Sequence, residues 1–250
     1  MPRIDAGLAS CGIGVVAVIA ILLSPGVSMS GEGSSPGLQV PGPEKNRWFE
    51  EVQKRQMDIL GFSAAVVQRK RHPLLKEEAV NKGKLLFRKP GFIRWEVDKP
   101  EKVVVVMDGQ SMTTYYPSRK EAENRDLRDN LASRAALDFL AAAMTLSLPE
   151  LERRFEVDLF RAERQMEVRL IPRSKWVSGA LSSISIFQGE DEGVPRCVVI
   201  RGKRGDRTEM SISSVMLNPD FLPDAFELHL GSDVRVTEVG WPEKSQDDDP

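Results

Sequence analysis

The sequence predicts a mainly β (α+β) chain built on one antiparallel sheet of about eleven strands, strongly curved or partly closed. Three observations lead there. Residues 62–124 form short runs rich in β-branched and aromatic residues, broken by the turn signals Arg71-His72-Pro73, Lys89-Pro90-Gly91, Lys99-Pro100 and Asp108-Gly109. Further strand-like runs follow at residues 155–160, 166–171, 181–187, 196–203, 208–217 and 225–230. No ten-residue crossover helices alternate with these runs, which removes the parallel βαβ arrangement.

Residues 1–30 carry the three parts of a secretory signal: a short start with Arg3, an unbroken apolar run at 12–23, and the break Ser24-Pro25-Gly26 before Ser28 and Ser30. The apolar run is shorter than the ~20 residues that span a bilayer as a helix, so cleavage after Ser28 or Ser30 is expected rather than a permanent anchor. Leu8-Ala9-Ser10-Cys11 imitates a lipobox, but it precedes the apolar run that a lipobox should close, so the mature product is read as soluble. Residues 31–43, rich in Gly, Ser and Pro, are expected to form a flexible leader.

Trp48, Phe49, Val52, Ile59 and Leu60 recur at helix-like intervals over residues 44–60, which predicts a first helix ended by Gly61 as its left-handed residue. In the meander that follows, Ile93-Arg94-Trp95-Glu96-Val97 alternates strictly, so Ile93, Trp95 and Val97 share one face and Arg94 and Glu96 the other. Residues 103–107 lack alternation, as in a strand covered on both sides. Asp108-Gly109 fits a type I′ hairpin turn leading back through 110–116. The stripe Leu127, Leu131, Leu137, Leu140 and Met144 predicts a helix over 127–144 inserted between strands. Ser147-Leu148-Pro149-Glu150 is a capping-box pattern for a short second helix reaching about Arg154. Residues 44–236 are read as one domain, and 237–250 as an acidic, disordered tail.

Composition narrows the function. Of 250 residues, 35 are basic and 37 acidic, so the chain lacks the basic surplus of a nucleic-acid binder and no nucleic-acid partner is expected. Cys11 lies in the signal segment, leaving Cys197 without a disulfide partner in the mature chain. His72 and His229 are far apart and neither has a second ligand at metal spacing, so no metal is expected. There is no Gly-x-Ser-x-Gly elbow, phosphate loop or paired acid cluster, and Cys197 in Cys197-Val198-Val199-Ile200 reads as a buried small hydrophobe. The chain is therefore read as no enzyme, with no catalytic residue and no cofactor. Gln68-Arg69-Lys70-Arg71-His72 is read as a solvated hairpin end, Arg204-Gly205-Asp206 as a turn, and Asp247-Asp248-Asp249 as solvated tail.

One segment resembles a known family. Gly83-Lys84-Leu85-Leu86-Phe87-Arg88-Lys89-Pro90-Gly91-Phe92-Ile93-Arg94-Trp95, followed by Pro100, Asp108-Gly109, Tyr115 and Pro117, is similar to the succession found in LolA-like outer-membrane lipoprotein carriers. That succession is a glycine-led strand, a basic pair before proline, an aromatic strand, a hairpin and a Tyr-x-Pro exit. Phe62-Ser63-Ala64 to Gln68 resembles the family's first strand, and Asn218 with Ala225-Phe226 its closing strand, so the likeness spans 48–236. The resemblance implies a half-open antiparallel β-barrel under a helical lid, acting as a monomer in the periplasm. Its partners would be acylated lipoproteins or other lipids, an inner-membrane lipoprotein-releasing transporter and an outer-membrane acceptor. Shielding makes physical sense, because each buried methylene is worth ~0.8 kcal/mol. A noncatalytic lipid-sensing or regulatory module on the same fold is the alternative.

The resemblance makes Leu85, Phe87, Ile93, Trp95 and Val97 candidates for the cavity lining, with Leu137, Leu140 and Met144 from the helical cover. In the family, the residue before this proline is usually an arginine that holds the lid shut. Here Lys89 stands there and Arg88 one place earlier, so both are latch candidates, although Arg88 should face the opposite side of the strand. Lysine brings a point charge in place of arginine's planar fork. Thr113 replaces a family aromatic two residues before the tyrosine.

Overall fold

The computed structural model describes residues 37–73, 77–127, 147–190 and 192–239. The expected signal peptide, the inserted helix beyond Leu127 with Leu137, Leu140 and Met144, and the acidic tail from Glu243 lie outside these residues. The order along the chain is β1 (Leu38–Gln39), α1 (Gly42–Gln56), β2 (Gly61–Arg71), β3 (Ala79–Arg88), β4 (Phe92–Lys99), β5 (Val103–Met107), β6 (Ser111–Tyr116), a 3-10 turn (Pro117–Arg119) and β7 (Glu121–Asp126). Then come α2 (Leu148–Glu152), β8 (Phe155–Ala162), β9 (Gln165–Pro172), α3 (Lys175–Ala180), β10 (Leu181–Gly189), β11 (Cys197–Gly202), β12 (Arg207–Leu217) and β13 (Arg235–Glu238).

The thirteen strands among the described residues join one open, curved sheet in the order β1-β8-β9-β10-β11-β12-β2-β3-β4-β5-β6-β7-β13. Neighbours are antiparallel except β13, which lies parallel to β7. Two meanders, β2 to β7 and β8 to β12, are therefore stitched together where β12 runs back along β2, from Arg207 opposite Arg71 to Leu217 opposite Phe62. Register shifts interrupt β10 on β11, β12 on β2 and β3 on β4. Such bulges bend a strand and add twist, which is how a wide sheet coils without closing. At the β3–β4 shift only glycine fits: a Cβ on Gly83 would come within 1.8 Å of the Glu96 carbonyl oxygen.

Helix α1 opens with Pro43 in its first turn and Glu44 beside the positive helix end, and closes with Lys54 and Arg55 at the negative end. It buries Trp48, Phe49 and Val52, which share one face, each burial being worth roughly 1.5–3 kcal/mol. The helix stops at Gln56, so Gly61 does not cap it; Gly61 instead opens β2 without a positive φ. Its amide and that of Leu60 donate to Asn218 Oδ1, at 3.2 and 2.7 Å, and Asn218 Nδ2 donates to the Asp58 carbonyl at 2.7 Å. The loop after α1 is thus fixed by a residue from the far end of the chain.

Four other expectations are corrected. The leader is not flexible from residue 37 onward: β1 pairs with β8, the Val40 amide donates to the Leu159 carbonyl at 2.8 Å, and the Val40 side chain is buried. Its Gly- and Pro-rich composition hides a short Leu-Gln-Val segment that fits the sheet edge. The capping box is not made, since Ser147 forms no side-chain cap bond to the helix that follows. At the β5–β6 turn the central residues are Gly109 and Gln110; Gly109 has φ +86° but Gln110 is not in the positive region, the pattern of a type II′ rather than a type I′ turn. Asp108 Oδ1 instead accepts from the amides of Gln110 and Ser111. Finally, residues 225–230 form no strand. They belong to an irregular strap after β12, anchored by buried Phe226 against Phe92 and Phe221.

The apolar interior falls into two clusters. In the first, Trp48, Phe49 and Val52 of α1 and Leu148 and Leu151 of α2 close over Val157, Leu159, Val168, Leu170, Ile184 and Ile186 of β8 to β10. The second gathers the same face of β2 to β6.

Candidate functional site

The second cluster is built by register. Phe62, Ala64 and Val66 on β2 stand opposite Phe87, Leu85 and Gly83 on β3, and these in turn stand opposite Ile93, Trp95 and Val97 on β4. Met107, Val105 and Val103 on β5 continue the three rows. A pleated strand sends alternate side chains to one face, so one alternation copied across four paired strands makes a continuous apolar surface. Leu85, Phe87, Ile93, Trp95 and Val97 are all buried on it. Sequence reasoning had not singled out Phe62, Ala64, Val66, Val105, Met107, Met112 and Ile212, which belong to the same cluster. The alternation in β2 carried a signal for the first three. For Val105 there was none, because Val104, Val105, Val106 and Met107 are buried on both faces.

Among the described residues, the cluster members that do not come from strands are Ile59, Leu127 and Val194. The first cluster has two helices of the chain across it; the second has a broad strand face with little described cover. Leu127 is buried here, at the point where the inserted segment begins.

Polar groups interrupt this surface. Gln68 and Lys70 continue the inward alternation of β2, and the Asn81 amide donates to Gln68 Oε1 at 2.9 Å. The basic run is a solvated hairpin end only at Arg71 and His72, which are exposed; Gln68 and Lys70 face inward, and burial pulls the Lys70 ammonium down to a pKa of about 6. On β6, Thr114 is fully buried in the row of Trp95 and Val105.

The two latch candidates part company at the rim. Lys89 Nζ donates to the carbonyl of Gln56, the last residue of α1, at 2.7 Å, and the Lys89 amide donates to the Leu60 carbonyl at 2.8 Å. A cation is favoured at a helix C-terminus, where carbonyls lack intrahelical partners. Arg88 faces the other side, its guanidinium lying 4.5 Å from the ring centre of Phe92 and 4.7 Å from that of Phe226. One basic residue holds α1 and the other holds the strap.

A groove of about 750 Å³ runs between that strap and the outer face, lined by Leu86, Arg94, Val104 and Tyr115 from the sheet and by Phe221 and Leu222 from the strap. Arg94 bridges it, bonded to Glu96 and to the Glu227 carbonyl. Lys84, Asp220 and Asp224 also line it, so it offers mixed charge where the inner face offers a dry row.

No group of three or more His, Cys, Asp or Glu side chains that could hold a metal occurs among the described residues. Cys197 is partly buried, and burial pushes its thiol up to about 11, leaving it protonated at neutral pH.

Comparison with known proteins points one way. The sequence profile described as "Outer membrane lipoprotein carrier protein LolA" matches residues 58–229. An outer-membrane lipoprotein carrier protein of Nitrosomonas europaea is 26% identical over 146 residues, spanning 58% of this chain and 66% of that one. A protein of the same description from Bordetella avium is 22% identical over 168 residues, spanning 67% of this chain and 76% of its own length. Among solved structures, an uncharacterized conserved protein from Thermus thermophilus superposes with a TM-score of 0.50 at 11% identity, over 78% of this chain and 99% of that one.

Proposed function

This chain belongs to the LolA family of outer membrane lipoprotein carrier proteins, and we propose that it carries acylated lipoproteins or related lipids through the periplasm on the inner face of β2 to β6. The observation behind this reading is the continuous apolar face that register builds across four strands, in rows from Phe62, Ala64 and Val66 on β2 to Met107, Val105 and Val103 on β5. An acyl chain needs such a dry surface and no reacting group. The signal-like segment at 1–30 supports export, and the inner-membrane transporter and outer-membrane acceptor would be the donor and receiver.

In this reading Leu85, Phe87, Ile93, Trp95 and Val97 line the site, with Leu137, Leu140 and Met144 proposed from the cover. Lys89 is assigned as the latch, because it reaches from the rim to the end of α1. Arg88 supports the strap instead. Mature protein incubated with lipoprotein-loaded inner membranes and an active releasing transporter is expected to appear in the soluble fraction with acylated cargo. Persistent recovery of empty protein would reject the proposal. Lys89→Leu is expected to change cargo retention and Arg88→Leu to leave it within about twofold. Equal retention in both variants and the wild type would reject a basic latch at this turn.

A further inference from the structure

The inner face carries buried hydrogen-bond donors that meet no acceptor among the described residues. Trp95 on β4, Val105 on β5, Thr114 on β6 and Glu123 on β7 form one cross-strand row, and Arg125 follows Glu123 on the same face of β7, opposite Met112. Trp95 and Thr114 are 2% and 0% exposed. Yet Trp95 Nε1, Thr114 Oγ1 and Arg125 Nη1 have no hydrogen-bond partner among the described residues. Most buried polar groups are paired, so three unpaired donors across four neighbouring strands, with Trp95 and Thr114 about 10 Å apart and Arg125 one strand further, call for acceptors from one ligand.

The charge balance says which kind. Arg125 Nη2 already donates to Glu123 Oε2 at 3.0 Å, so the local cation is neutralised and a carboxylate borders the row. A phosphate or free carboxylate placed there would meet Glu123 and be repelled. A neutral acceptor would not. Indole N–H, hydroxyl and the spare guanidinium N–H can all donate to carbonyl oxygens, and an indole N–H can do nothing else. Beside this row lie Leu85, Ile93, Val97 and Met112, which suit hydrocarbon.

We infer that Trp95, Thr114 and Arg125 form a subsite for the ester carbonyl oxygens of an acyl-glycerol group, setting the depth at which its chains enter the apolar face. This rests on the lipid-carrier reading and adds what part of the lipid is recognised. The acceptors for these donors come with the cargo. The subsite discriminates linkage chemistry: an ether-linked lipid of equal chain length buries the same hydrocarbon but leaves the donors unsatisfied.

The test is transfer of radiolabelled dimyristoylglycerol, or its ether-linked counterpart, from phosphatidylcholine vesicles to the full chain. Each carbonyl bond contributes roughly 2- to 10-fold in affinity, so the wild type is expected to prefer the ester by about tenfold. Thr114→Val and Trp95→Phe should each reduce that ratio of ester to ether binding, and together lower it to the share that Arg125 alone supplies, about twofold. Thr114→Val should not lower the melting temperature of the cargo-free protein, because the hydroxyl makes no bond there. Equal binding of ester and ether lipids by the wild type, or an ester preference undiminished by both substitutions, overturns the subsite while leaving the carrier reading standing. Failure to bind either lipid overturns the carrier reading, and the subsite with it.

Discussion

Replacing Lys70 by Met should stabilise the protein, and the gain should depend on pH. Lys70 stands opposite Ala79 and Thr208 on the inner face, with a pKa lowered from 10.5 to about 6 by burial. The unfolded chain binds the proton below 10.5, but the folded chain does not bind it until about pH 6. Over that window the unfolded state holds more protons, so stability rises with pH; the penalty for the buried amine grows as pH falls and levels off below 6. At about 1.4 kcal/mol per pH unit, the interval between 10.5 and 7 gives roughly 5 kcal/mol as an upper figure at neutral pH. Water reaching a side chain at the sheet margin lowers the realised value to a few kcal/mol. Methionine keeps the unbranched stem and removes the amine. Urea unfolding of both proteins at pH 6, 7, 8 and 9 measures the difference directly. Lys70→Met should be more stable at pH 7 by a few kcal/mol, with its advantage shrinking steadily toward pH 9. A pH-independent gap, or a less stable variant at pH 7, would refute the reasoning and show that Lys70 is held charged.

Three further perturbations address the frame. Gly83→Ala forces a Cβ against the Glu96 carbonyl at the β3–β4 bulge and should cost about 1–3 kcal/mol in urea unfolding; a loss below about 0.5 kcal/mol would mean that the strands separate freely there. Asn218→Ala removes three side-chain bonds to the loop after α1 from a residue at φ +46°, and should cost roughly 2–4 kcal/mol. Asn218→Gly, which tolerates that φ, should cost less, and equal losses would discard the backbone part of the argument. For Cys197, a pKa of about 11 instead of 9.0 lowers the thiolate fraction about a hundredfold at pH 8, and higher intrinsic nucleophilicity recovers about tenfold. Iodoacetamide labelling of Cys197, followed by peptide mass spectrometry, should thus be at least about tenfold slower in the native protein than in urea; equal rates would contradict its burial.

What could be read from the sequence was what local periodicity controls. Ile93, Trp95 and Val97 were legible because Arg94 and Glu96 separate them, and a strand wet on one side must alternate. Val104 to Met107 were not, because the strap packs on the outer face and removes the alternation. Gln68 and Lys70 were misread through composition: a run of charge suggested water, whereas the period-two rule already placed every second member inward. Asn218 holding the loop after α1, and Val40 bonded to Leu159, join residues more than a hundred positions apart, beyond the reach of any local window.

Periodicity also could not separate a lining from a core, since both clusters are apolar at the same spacing. What distinguishes them is chemistry. The face under α1 is closed by the chain's own aromatic side chains, where Trp48 Nε1 is a lone donor without a partner among the described residues and Leu159, Val168 and Leu170 offer no polar atom. On the other face, Thr114 and Trp95 each keep a buried donor without a partner among the described residues, a burden of about 1–3 kcal/mol apiece that Val or Phe would avoid. A surface shaped for stability alone would carry those residues. One that must receive and release an acylated ligand has a use for donors left unsatisfied until the cargo arrives, and for a latch such as Lys89 that grips a helix end by a single charged bond.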